Sequence, residues 1–163
     1  MKLIGVLSDT HSTLDQKALD HLGDCDEIWH AGDVGSEIVL DLLQEICPVK
    51  AVYGNIDGTR IRSILPESQV FQTEGKKVLI LHIAGYPGKY NTRARKLIAK
   101  HRPDIFVCGH SHILKVIYDK VNEHLHINPG AAGNSGFHRL KTLVRFKIDG
   151  ERIYDMEIVE MKR

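Results

Sequence analysis

Leu3-Ile4-Gly5-Val6-Leu7-Ser8-Asp9-Thr10-His11 opens with an apolar run that stops on a serine and an aspartate. A short apolar run bounded in this way reads as a buried strand. The period then changes: Leu14, Ala18, Leu19 and Leu22 recur at helical spacing, with Gly23 as a stop. Glu27-Ile28-Trp29-His30 is a second strand, delivering Ala31-Gly32-Asp33. Ser36 can cap a helix whose apolar face holds Ile38, Val39, Leu42, Leu43 and Ile46, with Pro48 close behind. Val49 to Tyr53 is a third strand and delivers Gly54-Asn55. Strand, helix, strand, helix, strand predicts βαβ units and a parallel sheet. In such sheets functional groups gather beyond the carboxyl ends of the strands. Asp9, Asp33 and Asn55 each stand just past one, so three residues far apart in the chain are predicted to converge.

Beyond Asn55 the rhythm alters. Val70 to Glu74 and Val78 to His82 bracket Gly75 as a hairpin or two consecutive strands. Asn91 to His101 reads as a helix, with Ala94, Leu97 and Ile98 inward and Pro103 as punctuation. Ile105-Phe106-Val107-Cys108 is another buried strand, delivering Gly109-His110. Only strands follow: Ile113 to Tyr118, Leu125 to Ile127, Leu140 to Ile148 and Ile153 to Val159, the last two joined by an Asp149-Gly150 turn. The end of the chain is therefore expected to be antiparallel. There is no linker, repeat or low-complexity segment, so residues 1–163 are expected to form a single domain.

A chain of 163 residues can bury a real core. Its 42% hydrophobic and 26% charged residues are ordinary for a globular protein. With a net charge of +1 and no basic stripe, nothing argues for nucleic-acid binding by bulk electrostatics, and none is expected. Cys25, Cys47 and Cys108 are too few and too scattered for a disulfide framework. Cys47 and Cys108, in apolar surroundings, read as small buried thiols. With no leader-like or membrane-length segment, the expectation is a reduced, cytoplasmic protein without a membrane partner. A homo-oligomer is left open.

Histidine is unusually abundant, at 10 residues, and its placement is informative. Asp9-Thr10-His11, Gly32-Asp33, Gly54-Asn55-Ile56-Asp57, the strand-end His82 and Gly109-His110-Ser111-His112 supply two aspartates, one asparagine and four histidines. Imidazole and carboxylate ligands suit divalent transition metals, and two ions roughly 3.5–4 Å apart need a shared ligand. Asp33, alone on its loop, is the natural bridge, with one oxygen toward each ion. Asp9 and His11 can reach one ion from one loop; His110 and His112 can serve different ions. Asn55 adds a neutral oxygen. Two carboxylates with two dications leave a positive site, which suits an anionic phosphate.

In this order and spacing the signatures resemble the calcineurin-like metallophosphoesterases, and among them the small bacterial and archaeal phosphodiesterases. The resemblance runs from residue 1 to about residue 130, including Ile127-Asn128-Pro129-Gly130. It implies a two-sheet β-sandwich flanked by helices, a four-layer α/β/β/α fold. It implies one ion held by Asp9, His11, Asp33 and His112, and another held by Asp33, Asn55, His82 and His110. A water between the ions, its pKa lowered by both, would attack phosphorus in line. Manganese is the expected metal, with iron, nickel or zinc as alternatives, and a phosphate ester is the expected substrate. Asp33, as the bridge that positions the water, and Asn55 are the expected catalytic residues. A phosphomonoesterase, or a non-catalytic interaction scaffold of the same fold, are the competing readings.

Two positions depart from the family pattern. Ile56 stands where many relatives carry a histidine that protonates the leaving group, and Ala84 where relatives often continue His82 as His-Gly-His. Taken singly, Asp9 could be a helix cap, Asn55 to Gly58 a plain turn and His82 a packed histidine; the collected set favours metal. His30 is expected either to orient the Asp33 loop or to pack in the core. Asp57 is expected to support the ligands from behind or to shape its turn. His138 and Arg139 could reach a substrate from their loop, and the Tyr86 to Tyr90 segment could wall a pocket. His21, His101, His124 and His126 read as surface or sheet residues.

Overall fold

The computed structural model of the chain describes all of residues 1–163. Strands β1 (Lys2–Leu7), β2 (Glu27–His30) and β3 (Val49–Ala51) lie parallel, joined by helices α1 (Gln16–Leu22) and α2 (Glu37–Gln44). β9 (Leu140–Asp149) returns antiparallel to β1, and β10 (Arg152–Lys162) antiparallel to β9, giving a sheet of order β10-β9-β1-β2-β3. The second sheet holds β4 (Ser68–Thr73), β5 (Lys76–Leu81), β6 (Ile105–Val107), β7 (Lys115–Asp119) and β8 (His124–Asn128), in the order β4-β5-β6-β8-β7. Helix α4 (Thr92–His101) links β5 to β6, and α3 (Thr59–Ile64) lies between β3 and β4.

Alternation along the strands builds the layers. Ile4 and Val6 of β1 point between the sheets, where they meet Trp29, Val78, Ile80, Ile105, Val107, Ile127 and Phe146. Leu7 points the other way, onto Ala18, Leu22, Val39 and Leu43 of α1 and α2. In β5, Val78 and Ile80 face inward while Leu79 and Leu81 pack with Ala94, Leu97 and Ile98 of α4. Strands covered on both faces must be apolar at every position, which is why these segments read as continuous runs. The result is helix, sheet, sheet, helix, as the sequence resemblance implies.

Capping fixes the helix starts. Asp15, Ser36 and Asn91 accept from the backbone N–H groups of Ala18, Ile38 and Ala94 at 3.0, 3.3 and 2.8 Å. Three expectations change. The third strand ends at Ala51 because the Tyr53 N–H leaves the ladder for the Pro66 carbonyl at 3.0 Å. The helix at Thr59–Ile64 is absent from the sequence reading; with six residues and one buried side chain, Ile61, it has no periodicity to detect. The terminal strands are not all antiparallel, since β8 runs parallel to β6 after the β7 hairpin reverses the chain.

Candidate metal centre

The parallel strands of both sheets deliver their polar ends to one edge of the sandwich. Asp9 and His11 follow β1, Asp33 follows β2, Asn55 follows β3, His82 follows β5, and His110 and His112 follow β6. Backbone bonds lock these loops together: Asp9 N–H to Gly32 O at 2.9 Å, His11 N–H to Asp33 O at 3.0 Å, and Gly109 N–H to His82 O at 3.0 Å. All seven predicted ligands are thereby brought together.

The loops approach so closely that two glycines are obligatory. A Cβ on Gly54 would fall 2.0 Å from Asp33 Oδ1, and one on Gly109 would fall 2.7 Å from Asp9 Oδ2. Five of the ten non-glycine residues with positive φ are candidate ligands: Asp9, His11, Asp33, His110 and His112, at φ 45–71°. Left-handed backbone costs an L residue roughly 1–2 kcal/mol, and such strain concentrates where side chains are aimed for function.

The donor atoms form two groups, Asp9, His11 and His112 in one and Asp33, His82 and His110 in the other, with the atoms of each group within 4.8 Å of one another. In the first, His112 Nε2 and His11 Nε2 lie 3.1 and 3.8 Å from Asp9 Oδ1. In the second, His82 Nε2 lies 3.2 Å from Asp33 Oδ2, while Asn55 Oδ1 lies 3.1 Å from His82 Nε2 and 2.9 Å from His110 Nδ1. Asp33 Oδ2 is also 3.5 Å from His11 Nε2, so it stands between the groups. Its other oxygen accepts from the Ile56 N–H at 3.0 Å. A single oxygen therefore faces both groups, rather than one oxygen facing each.

Asp9 Oδ1 and His11 Nε2 are buried and make no hydrogen bond. Asp9 Oδ1 is near His112, but the approach lacks hydrogen-bond direction. Buried polar atoms are almost always paired, so unpaired oxygen and nitrogen atoms converging on one point are the donor arrangement of a cation site. Their chemistry, imidazole with carboxylate, fits divalent transition-metal ions. His82 Nδ1–H donates to the Ala31 carbonyl at 2.6 Å, which leaves the Nε2 lone pair free.

Burial alone would raise the Asp9 carboxyl, but the close approach of His112, the nearby His82 and the Ser8 hydroxyl hold it below its usual range. Burial likewise opposes ionisation of Asp33, and His82 with the Ile56 N–H reverses the balance. Burial would lower His82, but Asp33 and Asp9 raise it; Asp9 also raises His112. Both carboxylates are thus held ionised.

A supporting layer lies behind the donors. His30 is fully buried, and burial lowers its pKa to about 4. This neutral ring accepts the Gly32 N–H at Nδ1 (3.1 Å), so its Nε2–H donates to Thr10 Oγ1 (3.0 Å); Thr10 in turn donates to the Val34 carbonyl (2.9 Å). His30 thus ties the Asp9 loop to the Asp33 loop from within the core. Asp57 accepts from the N–H groups of Val34 (3.1 Å), Gly35 (2.7 Å) and Gly54 (2.8 Å), joining the Asp33 and Asn55 loops. Ser8 Oγ donates to Asp9 Oδ2 at 2.6 Å, and Asn128 Nδ2 donates to the Gly109 carbonyl at 2.9 Å and to Ser111 Oγ at 3.2 Å. Tyr86 OH also meets Ser111. The supporting roles of Ser8, Thr10 and Tyr86 are absent from the sequence reading; only the adjacency of Ser8 and Thr10 to Asp9 could have signalled two of them.

His138 lines a cleft with His110 and His112, its ring 5.4 Å from that of His112. Arg139, next to it in the chain, is exposed. Ala84 is buried against α4 and Ile56 is exposed, so neither offers a proton. His124 and His126 are sheet residues, both fully buried. Burial raises the thiols of Cys25 and Cys108 to about 12 and that of Cys47 to about 11, consistent with unreactive thiols. No helix is long and apolar enough to cross a membrane.

Sandwich and donor set together define a metallophosphoesterase-like protein. Residues 1–151 match the model of the calcineurin-like phosphoesterase superfamily domain. The chain is 32% identical to a probable metallophosphoesterase of Methanothermobacter thermautotrophicus, over 96% of this chain and 91% of that one. It belongs to the calcineurin-like phosphoesterase superfamily. Among solved structures, its fold matches a novel archaeal phosphodiesterase (TM-score 0.71, 22% identity, covering 96% of this chain and 99% of that one). It also matches Vps29 of Entamoeba histolytica complexed with zinc (TM-score 0.76, 19% identity, covering 97% and 98%).

Proposed function

We propose that the chain is a metal-dependent phosphodiesterase in which residues 1–163 form one catalytic domain with a dinuclear centre. Asp9, His11, Asp33 and His112 hold one ion, and Asp33, Asn55, His82 and His110 the other. The observation that carries this reading is Asp33 Oδ2, standing 3.5 Å from His11 Nε2 and 3.2 Å from His82 Nε2, between the two donor groups. Bound there, divalent ions supply Lewis acidity toward the phosphoryl oxygens and lower the pKa of water at the centre.

The chain's own residues do the rest. Asp33 orients the centre, its spare oxygen pinned by the Ile56 N–H so that it cannot rotate away. Asn55 completes the second group without adding charge. His30 and Asp57 keep the loops in register. The histidine-rich donor set favours manganese, iron, nickel or zinc over magnesium.

The test combines metal content by plasma mass spectrometry with hydrolysis of bis(p-nitrophenyl) phosphate and of p-nitrophenyl phosphate in manganese. Two ions per chain, faster diester hydrolysis and loss of both in Asp33→Asn are expected. Faster hydrolysis of the monoester makes the protein a monoesterase. Fewer than two ions with no metal-dependent hydrolysis leaves the interaction scaffold.

A further inference from the structure

On the side of Asn55 and His82, the candidate centre continues into a cleft of about 310 Å³, lined also by Tyr53, Arg62, Glu67 and Arg93. That volume is at the lower end of the roughly 300–1,000 Å³ of sites that enclose small ligands. Arg62 is held by neutral groups only. Its Nε donates to the Asp57 carbonyl at 2.6 Å, and its Nη2 to the Gly54 and Asn55 carbonyls at 3.4 Å each. Its guanidinium sits 4.6 Å from the centre of the Tyr53 ring. The charge is fixed beside the ligand loop, with no bond to a carboxylate. Arg93 pairs with Glu67 at 3.0 Å, but the two side chains are 53% and 50% exposed, and such a pair is weak and screened. Two guanidinium groups against one carboxylate leave one uncompensated positive charge. Guanidinium donors match phosphate and carboxylate oxygens in shape as well as charge.

We propose that this cleft seats one ester arm of the substrate, and that this arm carries a second phosphate or carboxylate recognised by Arg62 and Arg93. The inference rests on the phosphodiesterase reading and names its substrate class: a phosphodiester with a further anion on one arm.

A matched pair of probes tests it: thymidine 5′-(p-nitrophenyl phosphate), and the same ester bearing a 3′-phosphate. The extra phosphate is expected to raise kcat/KM about tenfold, the scale of one charge-assisted hydrogen bond. Arg93→Gln and Arg62→Gln are expected to bring the ratio toward one, and Glu67→Gln to increase it. Because Arg62 also braces the Asn55 loop, the exposed Arg93 and Glu67 carry the decision. A wild-type ratio of one, or a ratio that neither Arg93→Gln nor Glu67→Gln moves, overturns the inference. If neither ester is hydrolysed, the phosphodiesterase reading fails, and calorimetric titration still decides on the cleft. Tighter binding of thymidine 3′,5′-bisphosphate than of thymidine 5′-monophosphate, lost in Arg93→Gln, supports it; equal affinities sink it.

Discussion

Replacing Asp57 should uncouple two loops of the centre at once. Its carboxylate is 3% exposed and accepts three backbone N–H groups, from Val34, Gly35 and Gly54. Hydrogen bonds to a charged group are worth about 1.5–3 kcal/mol each, and an abandoned buried donor adds its own desolvation cost. In Asp57→Ala the Val34 and Gly54 donors stay buried, whereas the partly buried Gly35 N–H can find water. Relief from burying the carboxylate offsets part of the loss. The net destabilisation is expected at about 3–4 kcal/mol. Asp57→Asn separates geometry from charge. Its amide oxygen can keep the Val34 and Gly54 bonds, while its NH₂ faces the Gly35 N–H, for a loss of about 1–2 kcal/mol. Because these loops carry Asp33 and Asn55, metal affinity should fall roughly 10–100-fold in Asp57→Ala. Urea denaturation reads the first effect as a midpoint shift at unchanged slope, and competition against a chelator reads the second. Asp57→Ala within about 1 kcal/mol of wild type would refute the view that this carboxylate holds the loops together.

Three further outcomes are expected. With Ile56 and Ala84 unable to donate a proton, aryl esters should hydrolyse much faster than alkyl esters, and Ile56→His should narrow that gap; leaving-group-independent rates count against it. Burial lowers His126 from 6.5 to about 4, so the unfolded chain takes up a proton below pH 6.5 that the native chain refuses until about pH 4. The contribution of His126 to stability should therefore be constant above pH 6.5 and fall by about 3 kcal/mol toward pH 4; His30, lowered likewise, adds to the acid loss, so pH-resolved denaturation of His126→Gln should show a loss shallower than that of wild type by the His126 share. Leu43→Ala, at a fully buried contact between α2 and the first sheet, should cost about 2–5 kcal/mol by the same assay while metal content is retained.

Much of this protein is legible in order along the chain. The first three strands, the Ser36 cap and the apolar run of Val78 to Leu81 are local. A strand buried on both faces needs an unbroken apolar run, and a helix start needs an acceptor for its free N–H groups. The seven candidate ligands are legible too, because each stands at the end of such a run. What escaped has little local signature. The helix at Thr59–Ile64 is shorter than two turns, and the parallel placement of β8 depends on which strand it finds.

The sequence by itself determined which side chains could ligate and that parallel strands would deliver Asp9, Asp33 and Asn55 to one edge, since motif order and apolar period are properties of the chain. Only the tertiary structure decided how the donors divide. The left-handed turns at Asp9, Asp33, His110 and His112 aim them, and the Ile56 N–H leaves Asp33 one oxygen between the groups. It also gave His30, Thr10 and Asp57 their partners and set Arg62 beside Asn55. These are contacts between loops far apart in sequence, and their distances exist only after both sheets have packed.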